Sequence, residues 1–222
     1  MTAETDTDLM FCGVDEAGRG PMFGPLVVGA VWCEDQEVLH RLGVKDSKKL
    51  TPIARERLYD EIAAAAAAWC TVPIAAEEID TQMARKSLND IELDLFVEAV
   101  GQHPADLTYA DCPDVNTERF GSVMSARLNG RTVVAAHKAD DTYPAVSAAS
   151  VMAKVTRDRM LDDLRKEFKC PIGSGYPSDA VTVAFIEKWI NKNGSPPPHT
   201  RCSWEPVRHL IAVRHNTKIS DW

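Results

Sequence analysis

The sequence predicts a mixed α/β sheet with helices on both faces, and three observations carry that expectation. Short apolar runs of strand length are bounded by glycine, proline or polar residues: LMFCGVD (9–15), LVVGAVWC (26–33), LTYAD (107–111) and TVVAA (132–136). Helical stretches alternate with the later runs. The 222 residues contain no internal repeat and no linker long enough to separate a pair of large domains.

Taken in order, the first two runs are expected to pair across the turn between them. Thr51 followed by Pro52 offers a capping hydroxyl and a proline at the first helical position, so a helix starts there. Alanine has the best helix propensity, and the helix is expected to run through the alanine tract to about Trp69. CTVPIAA (70–76) reads as an edge strand, because Pro73 cannot donate to a ladder. Further helices are expected over 87–101, from Asn116, after Pro144, over 178–193 and over 205–214. The breaker GSPPP (194–198) separates the last two. The expected organisation is a main domain over 1–193 and a C-terminal helical segment with a tail over 194–222.

The net charge of −8 argues at first against a phosphate-bearing partner, but the charge is segregated. Basic groups outnumber acidic ones five to two in 45–57, nine to six in 127–169 and six to three in 185–222. The acidic surplus lies in 1–44 and 58–126. Such a pattern permits a basic face on an acidic protein. No apolar run approaches the ~20 residues of a membrane span, and MTAETDTDLM lacks the basic start of a secretory signal. A cytoplasmic monomer is therefore expected. The six cysteines are scattered without a CxxC pair, which favours reduced thiols over a zinc site.

Four acids stand where α/β folds place their sites, at strand ends beside loops. Asp15 and Glu16 precede GRGPMFGP, Asp111 ends LTYAD, and Asp140 follows TVVAA. Neighbouring side chains alternate along a strand, so Asp15 and Glu16 converge only if the backbone bends, and Gly18 and Gly20 make a bend available. Any one of these acids alone reads as a solvated loop residue. Gathered together they would repel one another, and such hard oxygen ligands select Mg2+ or Mn2+.

Five blocks extend the argument. VDEAGRGPMFGPLVVGAV (14–31), KDSKKLT (45–51), YADCPDV (109–115), HKADDTYPAVSAASVMAKVTRDR (137–159) and GSGYPSD (173–179) resemble the signatures of ribonuclease HII, in the family's order. The resemblance implies a ribonuclease H-like sheet with helices on both faces and a small C-terminal helical region. It implies an endoribonuclease that cuts the RNA strand of RNA–DNA hybrids and cuts at ribonucleotides embedded in duplex DNA. The family's acidic tetrad maps onto Asp15, Glu16, Asp111 and Asp140, holding two Mg2+ or Mn2+ ions during catalysis, with 3′-hydroxyl and 5′-phosphate products. In Lys138-Ala139-Asp140 the third residue takes the catalytic place, and Asp141 reads as a solvated neighbour.

Ribose sensing is implied for Gly18, Arg19, Gly20 and Tyr176, and phosphate contact for Ser47, Lys48 and Lys49. Lys154 and Arg157 read equally as phosphate contacts or as a solvated helix face. His137 and the tyrosines at 59, 109 and 143 read as structural. The sister family ribonuclease HIII carries Gly-Lys-Gly and an extra N-terminal domain, whereas here Gly-Arg-Gly follows an acid at residue 15. GSGYPSD and the compact C-terminus look archaeal.

A catalytically silent hybrid-binding protein is the alternative, but it would have no physical reason to keep four carboxylates. A small-molecule phosphohydrolase would want a nucleotide-cradling loop such as GxxxxGK[ST], which is missing. In NTKISDW, Asn216, Ile219 and Trp222 have the spacing of the short peptide by which repair enzymes hold a sliding clamp, with asparagine in place of the usual glutamine. A clamp is thus an expected partner beside the nucleic acid.

Overall fold

The computed structural model describes the backbone of residues 9–45 and 50–219, and side chains within those ranges up to 213. Strands β1 (Phe11–Ala17), β2 (Leu26–Cys33), β3 (Ala68–Ile74), β4 (Leu107–Asp111) and β5 (Thr132–Ala136) form one sheet in the order β3-β2-β1-β4-β5. The first two apolar runs are neighbours, as expected, and β3 with its Pro73 lies at an edge. β1 pairs in parallel with β4, and β4 with β5, so their carboxyl ends share one end of the sheet. β1 continues through Ala17, and among the described residues the first positive φ comes at Gly18.

The helices are α1 (Gln36–Arg41), α2 (Pro52–Ala65), α3 (Ala76–Met83), α4 (Leu88–Gly101), α5 (Thr117–Arg127), α6 (Ala139–Thr142), α7 (Pro144–Phe168), α8 (Ala180–Asn193) and α9 (Glu205–Ile219). The anticipated caps form. The Thr51 hydroxyl accepts from the Ala54 amide, and the Asn116 side chain accepts from that of Arg119. α2 stops short of the expected Trp69. The Ala67 amide donates to the Trp32 carbonyl at 2.9 Å, so the sheet captures the chain before the alanine tract is spent. Helices α1, α3 and α6 were not expected. Of these, α1 has a readable start, with Asp35 accepting from the Glu37 amide.

Two compact units emerge, each drawn from separated stretches. Among the described residues, the first comprises 9–17, 28–45, 50–72 and 92–155, and the second 18–27, 73–91 and 156–219. In the first, Val31, Leu39, Leu58, Ile62, Met152 and their neighbours form a core. Gly13 lets the start of α7 approach β1 closely, since a Cβ there would stand 2.1 Å from the Ala145 carbonyl carbon. In the second, Met22, Phe23, Leu161, Ile172, Phe185 and Ile190 are buried together, with Phe23 edge-on to Phe168 and Phe185. Among the described residues, no helix is long and apolar enough to cross a membrane. All six cysteines are free. Burial pushes the Cys33 thiol up to about 12 and Cys70 to about 11, far from nucleophilic thiolates.

Candidate active site

In the first unit, register brings two acids side by side. Val14 pairs with Ala110, so the next residues of these parallel strands, Asp15 and Asp111, are neighbours on one face. Asp15 is buried, and its carboxylate accepts the Glu16 amide at 2.7 Å. Burial pushes its pKa well above the usual carboxylate range, and the charges of Glu16 and Asp111 push further. Hydrogen bonds from the Ser150 side chain and the Glu16 amide oppose the shift without cancelling it. Ser150 sits inside the fourth sequence block, but nothing in its spacing announces that role.

Asp140 is fixed by its neighbours. Lys138 adopts a left-handed φ of 54° and turns the chain from β5 into α6. The Ala139 amide then donates to the Asp111 carboxylate at 2.8 Å, which ties the residue before Asp140 to the end of β4. The Ser147 hydroxyl of α7 donates to the Asp140 carbonyl, and Asp140 itself is buried. Asp141 is exposed. Among the described residues, no three His, Cys, Asp or Glu side chains are grouped closely enough to hold a metal ion. The donor chemistry fits a hard divalent cation nonetheless: the acids brought to this end of the sheet are carboxylates, and the repulsion on Asp15 is what such a cation offsets.

The second unit holds the glycine-rich loop. Gly18 has φ 92°, a conformation that strains any other residue, and a Cβ there would stand 2.3 Å from the Arg157 Nε and 2.7 Å from the Pro25 carbonyl. The Arg19 guanidinium donates to the Asn89 side-chain oxygen at 2.7 Å. Tyr176 covers Gly20: a Cβ on that glycine would lie 3.4 Å from the ring. The tyrosine is 39% exposed, so its ring is presented to solvent rather than consumed by a core.

The segment carrying Tyr176 is tied down on both sides. The Met22 and Phe23 amides donate to the Gly175 carbonyl at 2.8 and 3.2 Å, and the Gly175 amide donates to the Thr182 hydroxyl at 2.9 Å. Asp179 caps α8 and accepts from the Ser174 amide and hydroxyl, donors that hold its carboxyl below the usual range.

The reading of Arg157 needs correction. It is neither a phosphate contact nor part of a solvated face: it is 1% exposed, with Nε donating to the Pro25 carbonyl at 3.1 Å and Nη2 to the Ser174 carbonyl at 3.3 Å. Its guanidinium lies 5.7 Å from the Tyr176 ring centre. Arg201, unmarked by any motif, is fully buried and donates to the Gly18 carbonyl at 2.6 Å, the Arg19 carbonyl at 3.0 Å and the Gly24 carbonyl at 3.1 Å. Burial, reinforced by the Arg157 charge, pulls the Arg201 pKa down to about 9.

Lys154 is half-buried, and the His137 Nδ1 lies 3.3 Å from the Cys112 carbonyl oxygen. Tyr109 and Tyr143 stack on each other with ring centres 3.9 Å apart. Ser47, Lys48 and Lys49 lie outside the described residues, as do the side chains of Asn216 and Ile219 and the whole of Trp222.

Comparison with known proteins places these features in context. The family model described as Ribonuclease HII matches residues 12–207. A ribonuclease HII of Cenarchaeum symbiosum is 45% identical over 206 residues, covering 92% of this chain and 99% of the relative. The crystal structure of ribonuclease H2 from Pyrococcus horikoshii OT3 superposes with a TM-score of 0.88 at 39% identity, covering 93% of this chain and 99% of that one. A chain of the PCNA:RNase HII complex from Archaeoglobus fulgidus superposes with a TM-score of 0.84 at 41% identity, covering 89% and 96% respectively. Both superpositions bear out the α/β fold class.

Proposed function

The chain belongs to the ribonuclease HII family, of archaeal type, and from that premise we propose that it is a metal-dependent endoribonuclease that hydrolyses the RNA strand of RNA–DNA hybrids and nicks duplex DNA at embedded ribonucleotides. The observation that carries the reading is the pairing of Asp15 with Asp111 across two parallel strands, with Ala139 tying the start of the Asp140 segment to Asp111. Asp15, Glu16, Asp111 and Asp140 are the residues that would hold Mg2+ or Mn2+, which supplies charge stabilisation to the phosphodiester and activates water. Burial and the charges of Glu16 and Asp111 raise the Asp15 pKa, and a bound cation would favour its charged form. The test is turnover on a duplex with one ribonucleotide against the same duplex in all-DNA form, with Mg2+ and then with EDTA. Cleavage confined to the first duplex and abolished by EDTA is expected. Binding without cleavage would favour the silent hybrid-binding protein.

Recognition of ribose falls to Gly18, Arg19, Gly20 and Tyr176, since the 2′-hydroxyl is what separates RNA from DNA. The exposed Tyr176 ring against Gly20 supports that assignment. Tyr176→Ala is expected to lower kcat/KM at a lone ribonucleotide by about tenfold, or ~1.4 kcal/mol. On a continuous hybrid the loss should be smaller, because many registers present a 2′-hydroxyl. Steady-state kinetics on both substrates check this, and equal losses would reduce Tyr176 to packing. Ser47 and Lys48 are assigned to the phosphate backbone on sequence grounds alone.

The partner reading extends to the C-terminus. The helix α9 reaches Ile219, and an Archaeoglobus fulgidus relative is known in complex with PCNA. Asn216, Ile219 and Trp222 are proposed to anchor this chain on a sliding clamp. Calorimetry of the full chain against the clamp of its own organism is expected to give micromolar binding, lost in Trp222→Ala. No heat at hundreds of micromolar, or binding untouched by the substitution, would refute it.

A further inference from the structure

Resting on the reading of Gly18–Gly20 as the ribose-sensing loop, we infer that Arg201 is a positioning residue for ribose recognition, setting the direction of the loop's amides from beneath. Its guanidinium donates to three carbonyls of one loop, those of Gly18, Arg19 and Gly24. Arg is suited to this, because its rigid planar fork of donors can serve several acceptors at once. Among the described residues there is no cis peptide bond, and in a trans peptide the carbonyl of one residue points opposite to the amide of the next.

The consequence is geometric. Holding the Gly18 carbonyl toward the guanidinium turns the Arg19 amide away from it, and holding the Arg19 carbonyl does the same for the Gly20 amide. Two successive amides are thereby directed away from the guanidinium together, in the loop whose Gly20 lies against the Tyr176 ring. Arg157 steadies the neighbouring turn through the Pro25 carbonyl and stands beside the Tyr176 ring. A buried guanidinium is costly to desolvate. If a turn were all that was needed, shorter neutral donors would hold it at less cost, and the arrangement is intelligible when amide direction itself is what the loop must supply.

The experiment compares wild type with Arg201→Lys, which keeps the charge but has no planar fork, and with Arg201→Gln, which keeps a planar donor without charge. Binding is followed by fluorescence anisotropy in Ca2+, with gel analysis checking that the strands stay uncut, for a duplex with one ribonucleotide and for its all-DNA counterpart. Nicking in Mg2+ runs in parallel. Wild type should prefer the ribonucleotide duplex. Both variants should lose at least fivefold of that preference while their affinity for all-DNA duplex changes less than twofold. A merely structural role would weaken both affinities alike, or leave both variants unfolded by circular dichroism, and either result overturns the inference, as does an unchanged preference. If wild type neither nicks nor prefers the ribonucleotide duplex, the underlying reading of the loop fails instead.

Discussion

Asp15→Asn should lower nicking at a lone ribonucleotide at least a thousandfold, roughly 4 kcal/mol at the transition state. An amide can accept the Glu16 hydrogen bond as the carboxylate does, so the local backbone should survive. What it lacks is the negative charge to hold a cation. The same substitution should raise the Tm of the metal-free protein. Asp15 is buried beside Glu16 and Asp111, and its folded pKa stands well above the usual value. A group whose pKa is raised by folding contributes its full stability only below its unfolded pKa, about 4 for Asp. That contribution is lost as pH rises through the raised folded value. Metal-free wild type should therefore lose stability from about pH 4 upward more steeply than the Asn variant. Calorimetric melts across pH, with kinetics on the same samples, measure both effects. Retention of more than a tenth of wild-type kcat would remove Asp15 from the chemistry.

Gly18→Ala should be the most damaging substitution in the loop. The residue has φ 92°, which an alanine adopts at a cost of about 1–2 kcal/mol. The new methyl would also stand 2.3 Å from the buried Arg157 Nε and 2.7 Å from the Pro25 carbonyl. Neither neighbour can yield easily, since Arg157 is itself pinned to carbonyls. A total destabilisation of about 2–4 kcal/mol is expected, seen as a fall in Tm of roughly 5–15 °C for a chain of this size. Ribose preference should collapse with it, because the loop cannot keep its path. A variant with wild-type Tm and preference would show that the loop tolerates a side chain where the geometry denies one.

Much of this was legible in the sequence, and the exceptions share a cause. β2 has the expected bounds, and Thr51 and Asn116 cap the helices they were expected to cap. Capping and strand patterning are local, so a single sequence displays them. The end of α2 is not local. It is fixed where the Ala67 amide meets the Trp32 carbonyl, a partner 35 positions away that overrides alanine's helix propensity. α3 went unseen because Ala75 offers no side-chain cap.

At the candidate site, the four acids are legible from their places at strand ends and the blocks around them, whereas the burial of Arg157 and the carbonyl contacts of Arg201 are not. Both bind backbone carbonyls far along the chain, from 132 positions for Arg157 to Pro25 to 183 for Arg201 to Gly18. A carbonyl carries no residue identity, so no pattern of residue types can announce such a partner.

The product ends of a duplex nicked at its single ribonucleotide test the central claim most directly. Hydrolysis in which water attacks the phosphorus and the 3′-oxygen leaves gives a 3′-hydroxyl and a 5′-phosphate, the outcome a carboxylate-held metal site would support here. A ribonucleotide's own 2′-hydroxyl could instead attack without such a site, leaving a 2′,3′-cyclic phosphate and a 5′-hydroxyl. Mass spectrometry of the two fragments, with Mg2+ and with EDTA, separates these routes. The account predicts 3′-hydroxyl and 5′-phosphate ends that form only with the divalent ion. Cyclic phosphate ends, or cleavage that persists in EDTA, would contradict it.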